Sequence, residues 1–221
     1  MTDGVPKRSG PRVFRDREEA GRALAAALHG RVERSRALIL AIPRGGVIVA
    51  APLSRALDAP LDVVITHKLR APDNPELAIG AVAPGVRVLD ERLIRVLNLP
   101  EAYIEEEAAA QEAEIDRRTR LYRGDRPPPT FTDTTAIVVD DGIATGATAV
   151  AALRWARAQG PARVLFAAPV GPRSAPRLLA HECDDVVVLE TPPAFRAVGE
   201  WYDRFDQVTD REVLDVLGGG P

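Results

Sequence analysis

The stretch Ala136-Ile-Val-Val-Asp-Asp-Gly-Ile-Ala-Thr-Gly-Ala-Thr148 constrains the fold of this chain more than any other. The apolar run from Ala136 to Val139 reads as a buried parallel strand, packed on both faces. It delivers two adjacent carboxylates, Asp140 and Asp141, to the strand's C-terminal end. A loop of small and hydroxyl residues follows, Gly142 to Thr148, and then a helical stretch from Ala149 to Gln159. In an open α/β sheet, ligands bind beyond the C-terminal strand ends. A small-residue loop entering a helix presents backbone N–H groups at the positive end of the helix dipole, where a phosphate is favoured. The carboxylates accept from sugar hydroxyls and the loop donates to a phosphate, a combination that suits a phosphorylated ribose.

The rest of the chain supplies the sheet for that strand. Ala37–Ile42, Leu61–Thr66, Arg163–Pro169 and Asp185–Glu190 are further strand candidates, separated by helical stretches. This alternation predicts an α/β fold with a doubly wound, mainly parallel sheet and helices on both faces. The first helix has Asp16 as N-cap and Glu19 at the third position, with Ala20, Leu24, Ala27 and Leu28 on one face and Gly30 as stop. A second helix is expected from Val47 towards Leu57, with Pro52 near its start or kinking it. Val86–Asp90 is a short strand, Glu91–Leu97 a short helix, and Pro100 opens a long polar helix over Glu101–Tyr122. Its acidic first half (Glu105, Glu106, Glu107) and basic second half (Arg117, Arg118, Arg120) suit the dipole, so the glutamates read as a solvated face. Residues 90–129 thus form a helical insertion, a subdomain or a dimer contact. Ser174–His181 is a further helix, residues 191–209 leave the last strand as an irregular segment, and Thr209 with Glu212 caps a last helix to Leu217. The expectation is a loose tail, Met1 to Arg12, before a single domain over 13–221.

Val138 to Thr148 resembles the phosphoribosyl-pyrophosphate (PRPP) motif of type I phosphoribosyltransferases: an apolar strand, two acids, then a T-G-x-T loop. The resemblance implies that Asp140 and Asp141 hold the ribose 2′- and 3′-hydroxyls. It also implies that the loop after Gly142, from Ala144 through Thr145, Gly146 and Ala147 to Thr148, wraps the 5′-phosphate. Pro43-Arg44-Gly45-Gly46 ends the first strand, where glycines let N–H groups approach an anion and Arg44 adds a charged fork. By resemblance this is the pyrophosphate loop. By resemblance, Lys68 and Arg70, beside the turn-rich Ala71–Glu76, belong to a mobile lid over the pyrophosphate. Val198-Gly-Glu-Trp-Tyr-Asp203 is similar to the hood of purine enzymes, which makes Phe195 and Trp201 candidates to stack on a base and Asp203 a contact to Mg²⁺ through water. A Walker-type acidic strand end is the competing reading, but it needs a G-x-x-x-x-G-K-[ST] loop that the chain lacks.

The resemblance implies a Mg²⁺-dependent transfer of the 5-phosphoribosyl group from PRPP to a small nucleobase-like acceptor, with pyrophosphate released; a homo-oligomer, a dimer, is expected, and the single cysteine with no signal peptide is consistent with the cytoplasm. Ala144 stands where hypoxanthine-guanine enzymes carry an Asp, which speaks against a 6-oxopurine acceptor. A non-catalytic PRPP- or nucleotide-binding regulator on the same fold is the alternative. Composition excludes other classes. Lys and Arg number 29 against 32 Asp and Glu, for a net charge of −3, so no broad nucleic-acid face is expected. No stretch is apolar enough to span a bilayer, and Met1 to Arg12 lacks a signal-peptide core. The single cysteine, Cys183, cannot form a disulfide within the chain, and with His181 it lacks further ligands for a metal. His67 reads as a packed strand-end residue and Glu76 as part of a loop.

Overall fold

The computed structural model describes residues 13–218; the expected tail over 1–12 and residues 219–221 lie outside the described residues. Five strands form one parallel sheet: β1 (Ala37–Ala41), β2 (Leu61–Val63), β6 (Thr135–Val139), β7 (Arg163–Val170) and β8 (Asp185–Glu190), in the order β2-β1-β6-β7-β8. Strand β1 lies in register with β6, Ile39 opposite Ile137 and Ala41 opposite Val139. Strands β1 and β6 are buried at every position, because helices cover both faces.

The two faces follow the alternation of side chains along a strand. Ile39, Ala41, Ile137, Val139, Leu165 and Ala167 face one way and pack with α1 (Arg17–Leu28), α2 (Gly45–Leu57) and α7 (Asp210–Leu217). Leu38, Leu40, Ala136, Val138, Val164 and Phe166 face the other way, against α5 (Ala147–Ala158) and α6 (Ala175–Leu179). This is the doubly wound, mainly parallel sheet that the alternating pattern predicted. Pro52 sits inside α2.

A second sheet of three antiparallel strands is built from β3 (His67–Ala71), β4 (Asn74–Ala83) and β5 (Val86–Leu89). Two expectations change here. The strand expected over Leu61–Thr66 stops at Val63. The expected loop Ala71–Glu76 is a tight hairpin instead, because Pro72 and Asp73 turn the chain and Asn74 already pairs with Ala71. Pro and Asp favour such a turn, and the apolar residues after it extend the strand. Ala81 and Ala83 of β4 pack with Ala151 of α5. Leu69, Ala71 and Ile79 join the main core together with Ile104, Ala108, Ile115 and Tyr122 of α4 (Glu101–Arg123). The long polar helix therefore buries one apolar stripe in the main body; α3 (Glu91–Leu97) precedes it.

After β8 the chain runs irregularly, with a short 3-10 helix at Val198–Trp201. Tyr202 pairs with Phe14 in an isolated parallel bridge, so the segment before α1 and the segment before α7 lie together. Both caps foreseen from sequence are formed: Asp16 accepts from the Glu19 N–H, and Thr209 with Glu212 makes a reciprocal capping box. No helix among the described residues is long and apolar enough to cross a membrane.

Candidate functional site

Strands β1 and β6 are neighbours and parallel, so the segments that leave their C-terminal ends emerge side by side. The Ile42 N–H donates to the Val139 carbonyl at 2.8 Å, which carries the pairing one residue past β1. Arg44-Gly45-Gly46 and Asp140-Asp141-Gly142 then meet. The Pro43–Arg44 peptide is cis. The approach is too close for side chains: a Cβ on Gly46 would stand 2.7 Å from the Val139 carbonyl oxygen, and one on Gly45 would stand 1.9 Å from Oδ2 of Asp141.

A cavity of about 270 Å³ lies at this edge. Lys68, both carboxylates, Thr148 and the loop from Gly142 to Gly146 line it, and Val198 and Phe205 complete its wall. The sequence-derived acid pair and phosphate loop therefore share one space. Gly146 is the N-cap of α5, with φ 84° and no side-chain cap, and Ala147 is the first helical residue. The first helical bond runs from the Val150 N–H to the Gly146 carbonyl. N–H groups earlier in that turn have no acceptor within the helix and suit an anion. Ala144 and Thr145 are exposed at the loop tip.

The electrostatics of the acids are set by crowding. Burial pushes the Asp140 carboxyl well above the usual range, and the neighbouring Asp141 pushes it further, while Lys68 opposes. Burial also raises Asp141, but the Arg17 guanidinium opposes it through a 2.7 Å ion pair. The Asp141 N–H donates to Oδ1 of Asp140 at 2.8 Å, and the Tyr202 hydroxyl donates to the Asp141 carbonyl at 2.6 Å. Arg17, Tyr202 and Phe205 were not singled out from the sequence. Arg17 lies 124 residues from its acid partner, so no local spacing could pair them; the one available signal was a cation in the first turn of a helix, where the dipole disfavours it.

Other candidates are placed elsewhere. The Arg44 guanidinium is 3.6 Å from Oδ1 of Asp210 in α7, an oxygen that also accepts from the Tyr122 hydroxyl at 2.5 Å. The Arg70 side chain is exposed, and its backbone is held by Glu107 and Tyr103 of α4. Phe195 and Trp201 pack against a cluster of Phe14, Ala20, Val170 and Tyr202; neither lines the cavity, where the aromatic residue is Phe205. Phe205 stacks on Tyr202 with ring centres 5.0 Å apart. Asp203 is exposed, and its N–H donates to the Phe14 carbonyl. His67 is half-buried against Gln111, and burial lowers its pKa. Glu76 lies in β4, with its side chain outside the described residues. Cys183 is buried, with its thiol pushed up to about 11 by burial and by Asp184. Among the described residues, no three His, Cys, Asp or Glu side chains are grouped to hold a metal.

Comparison with known proteins gives a consistent picture. The family model described as "Phosphoribosyl transferase domain" matches residues 14–200. Two curated relatives from Mycobacterium tuberculosis, one each from strains H37Rv and CDC 1551, are named provisionally as phosphoribosyl transferases. Each is 42% identical over 207 residues, covering 93% of this chain and 46% of the relative. The chain thus spans about half the length of the curated relatives it matches. The crystal structure of TT1426 from Thermus thermophilus is 41% identical with a TM-score of 0.77, covering 93% of this chain and 97% of that one.

Proposed function

Starting from the fact that this chain belongs to the phosphoribosyl transferase domain family, we propose that it transfers the 5-phosphoribosyl group of PRPP to a small nucleobase-like acceptor and releases pyrophosphate. The observation that carries this reading is the shared cavity: paired carboxylates and an uncapped helix N-terminus face the same space. Asp140 and Asp141 accept from the ribose hydroxyls. The backbone from Ala144 to Thr148, with the hydroxyls of Thr145 and Thr148, holds the 5′-phosphate. With the sugar fixed at both ends, C1 is presented to its two reaction partners in a set orientation.

As the bond from C1 to pyrophosphate breaks, the carbon becomes oxocarbenium-like and negative charge collects on the leaving group. Cations and backbone donors must meet that charge. Lys68 lines the cavity and takes this role at once. Gly45 and Gly46 bring the backbone close to the acid pair, with the Gly46 N–H donating to the Ile42 carbonyl, and Arg44 joins them once it leaves Asp210. Arg70 is the further basic group of the same hairpin.

Mg²⁺ fits this site as a substrate-borne ion rather than a resident one. The described residues offer no three-ligand cage, and Mg²⁺ commonly keeps its waters and binds through substrate phosphates. Asp203, which the resemblance makes a contact to the ion through water, does not line the cavity. When bound, the ion supplies charge neutralisation at the pyrophosphate.

The competing reading, a regulator that binds PRPP without turnover, draws on one observation: the titratable side chains lining the cavity are Lys68, Asp140 and Asp141, and none is an evident base for an incoming nitrogen. Pyrophosphate release from PRPP and Mg²⁺, measured against a panel of bases, separates the two. Release with at least one base is expected; binding by calorimetry with no release on any base supports the regulator.

A further inference from the structure

Helix α1 opens with a cation. Arg17 directly follows the N-cap Asp16, where the positive end of the dipole disfavours a guanidinium. Three contacts hold it there. Nε donates to Oδ2 of Asp141 at 2.7 Å, Nη1 donates to the Asp206 carbonyl at 2.9 Å, and the guanidinium carbon lies 3.8 Å from the centre of the Phe205 ring. The two charged side chains are 11% and 17% exposed, so solvent screens this pair much less than an ordinary surface ion pair. Gly45 makes the room: its Cβ would lie 1.9 Å from Oδ2 of Asp141 and 2.9 Å from Nε of Arg17. Phe205, under the guanidinium, also walls the cavity.

We propose that Arg17 is a positioning residue for the ribose-binding acid: it pins Oδ2 of Asp141, leaves Oδ1 to accept from a ribose hydroxyl, and ties the cavity-lining Phe205 to the same carboxylate. The inference rests on the reading of Asp141 given under the proposed function. The groups that bear on Asp141 are Asp140 beside it, Arg17 from α1, Lys68 from β3 acting through Asp140, Tyr202 at its carbonyl, and Glu212 of α7 acting through Arg17. Of these, Arg17 is the cation bonded to the carboxylate. Two adjacent carboxylates in a poorly solvated site repel each other, and one tends to hold a proton unless a cation compensates.

The test is a double-variant cycle read by calorimetry with PRPP and Mg²⁺. Arg17→Gln and Asp141→Asn should each weaken binding at least about tenfold, and the double variant should bind no more weakly than Asp141→Asn, since contacting residues acting through one another are not additive. Additive losses overturn the proposal. A second readout needs no ligand. The Asp141 carboxyl carbon, followed by NMR, should titrate at least about one pH unit higher in Arg17→Gln than in the parent protein; an unchanged midpoint overturns the proposal whether or not PRPP binds. Where Arg17→Gln does not fold, Arg17→Lys replaces it: the ammonium keeps the charge and loses the planar contact, so the midpoint holds while PRPP affinity falls. Unchanged affinity in that variant overturns the proposal. Failure of the parent protein to bind PRPP sinks the proposed function and leaves the NMR titration to judge Arg17.

Discussion

At the scale of single residues, the site trades stability for charge. Burial, and then Asp141, raise the Asp140 carboxyl well above the usual range, while in the unfolded chain it ionises near pH 4. A carboxyl whose folded pKa is raised contributes stability at low pH and loses it as pH rises through the folded value. Asp140→Asn keeps an oxygen to accept from the Asp141 N–H and carries no charge. It should therefore raise Tm at pH 8, by about 2–4 °C for each kcal/mol recovered in a domain of this size, with the gain gone at pH 3, while PRPP binding is lost. Thermal denaturation at the two pH values checks this; an equal gain at both would contradict the burial argument. Gly45→Ala acts in the opposite direction. Its methyl group would collide with the Asp141 carboxylate, so a loss of about 1–3 kcal/mol is expected, typical of overpacking. Chemical denaturation measures that loss, and calorimetry should show PRPP affinity falling with it.

At the scale of elements, the helix ends do the local work. Asp16 caps α1, and its carboxyl is held down to about 2, chiefly by the Glu19 N–H and then by Arg15 and Arg204. A depressed acid contributes stability above its unfolded value and loses it as pH falls through the folded one. Asp16→Ala should cost about 1 kcal/mol at neutral pH, and the cost should fade between about pH 4 and pH 2. Equal destabilisation at pH 7 and pH 2 in urea titrations would refute the cap as its source. At α5 the opposite design holds: Gly146 leaves the first turn without a side-chain cap, which leaves its N–H groups open to an anion. Both designs were readable locally, since a cap and its target lie within one turn. The hairpin β3–β4 was less readable, because Pro72 and Asp73 signal a turn without disclosing that the flanking residues pair.

At the scale of the whole molecule, binding and folding are linked. If the cavity takes PRPP with Mg²⁺, ligand at about 100 times its Kd should stabilise the fold by about 2.7 kcal/mol. Thermal shift should show this with both present, and chelation of the metal should remove most of it. An unshifted Tm with saturating PRPP and Mg²⁺ would count against the site. The packing also explains how two distant segments reach one site: Phe14 and Tyr202 pair, which brings α1 and the segment before α7 to the acid pair together.

The parallel sheet, the acid pair at a strand end and the small-residue loop that opens α5 beside it were legible from residue order, because apolar period, strand-end acids and helix starts are properties of neighbours along the chain. The partner of Asp141, the resting place of Arg44 on Asp210, and the choice of Phe205 over Phe195 or Trp201 as the aromatic wall were not legible. Each joins residues far apart in sequence, and such contacts arise when helices and sheet pack in three dimensions. Folding sets those distances; composition and spacing carry no record of them.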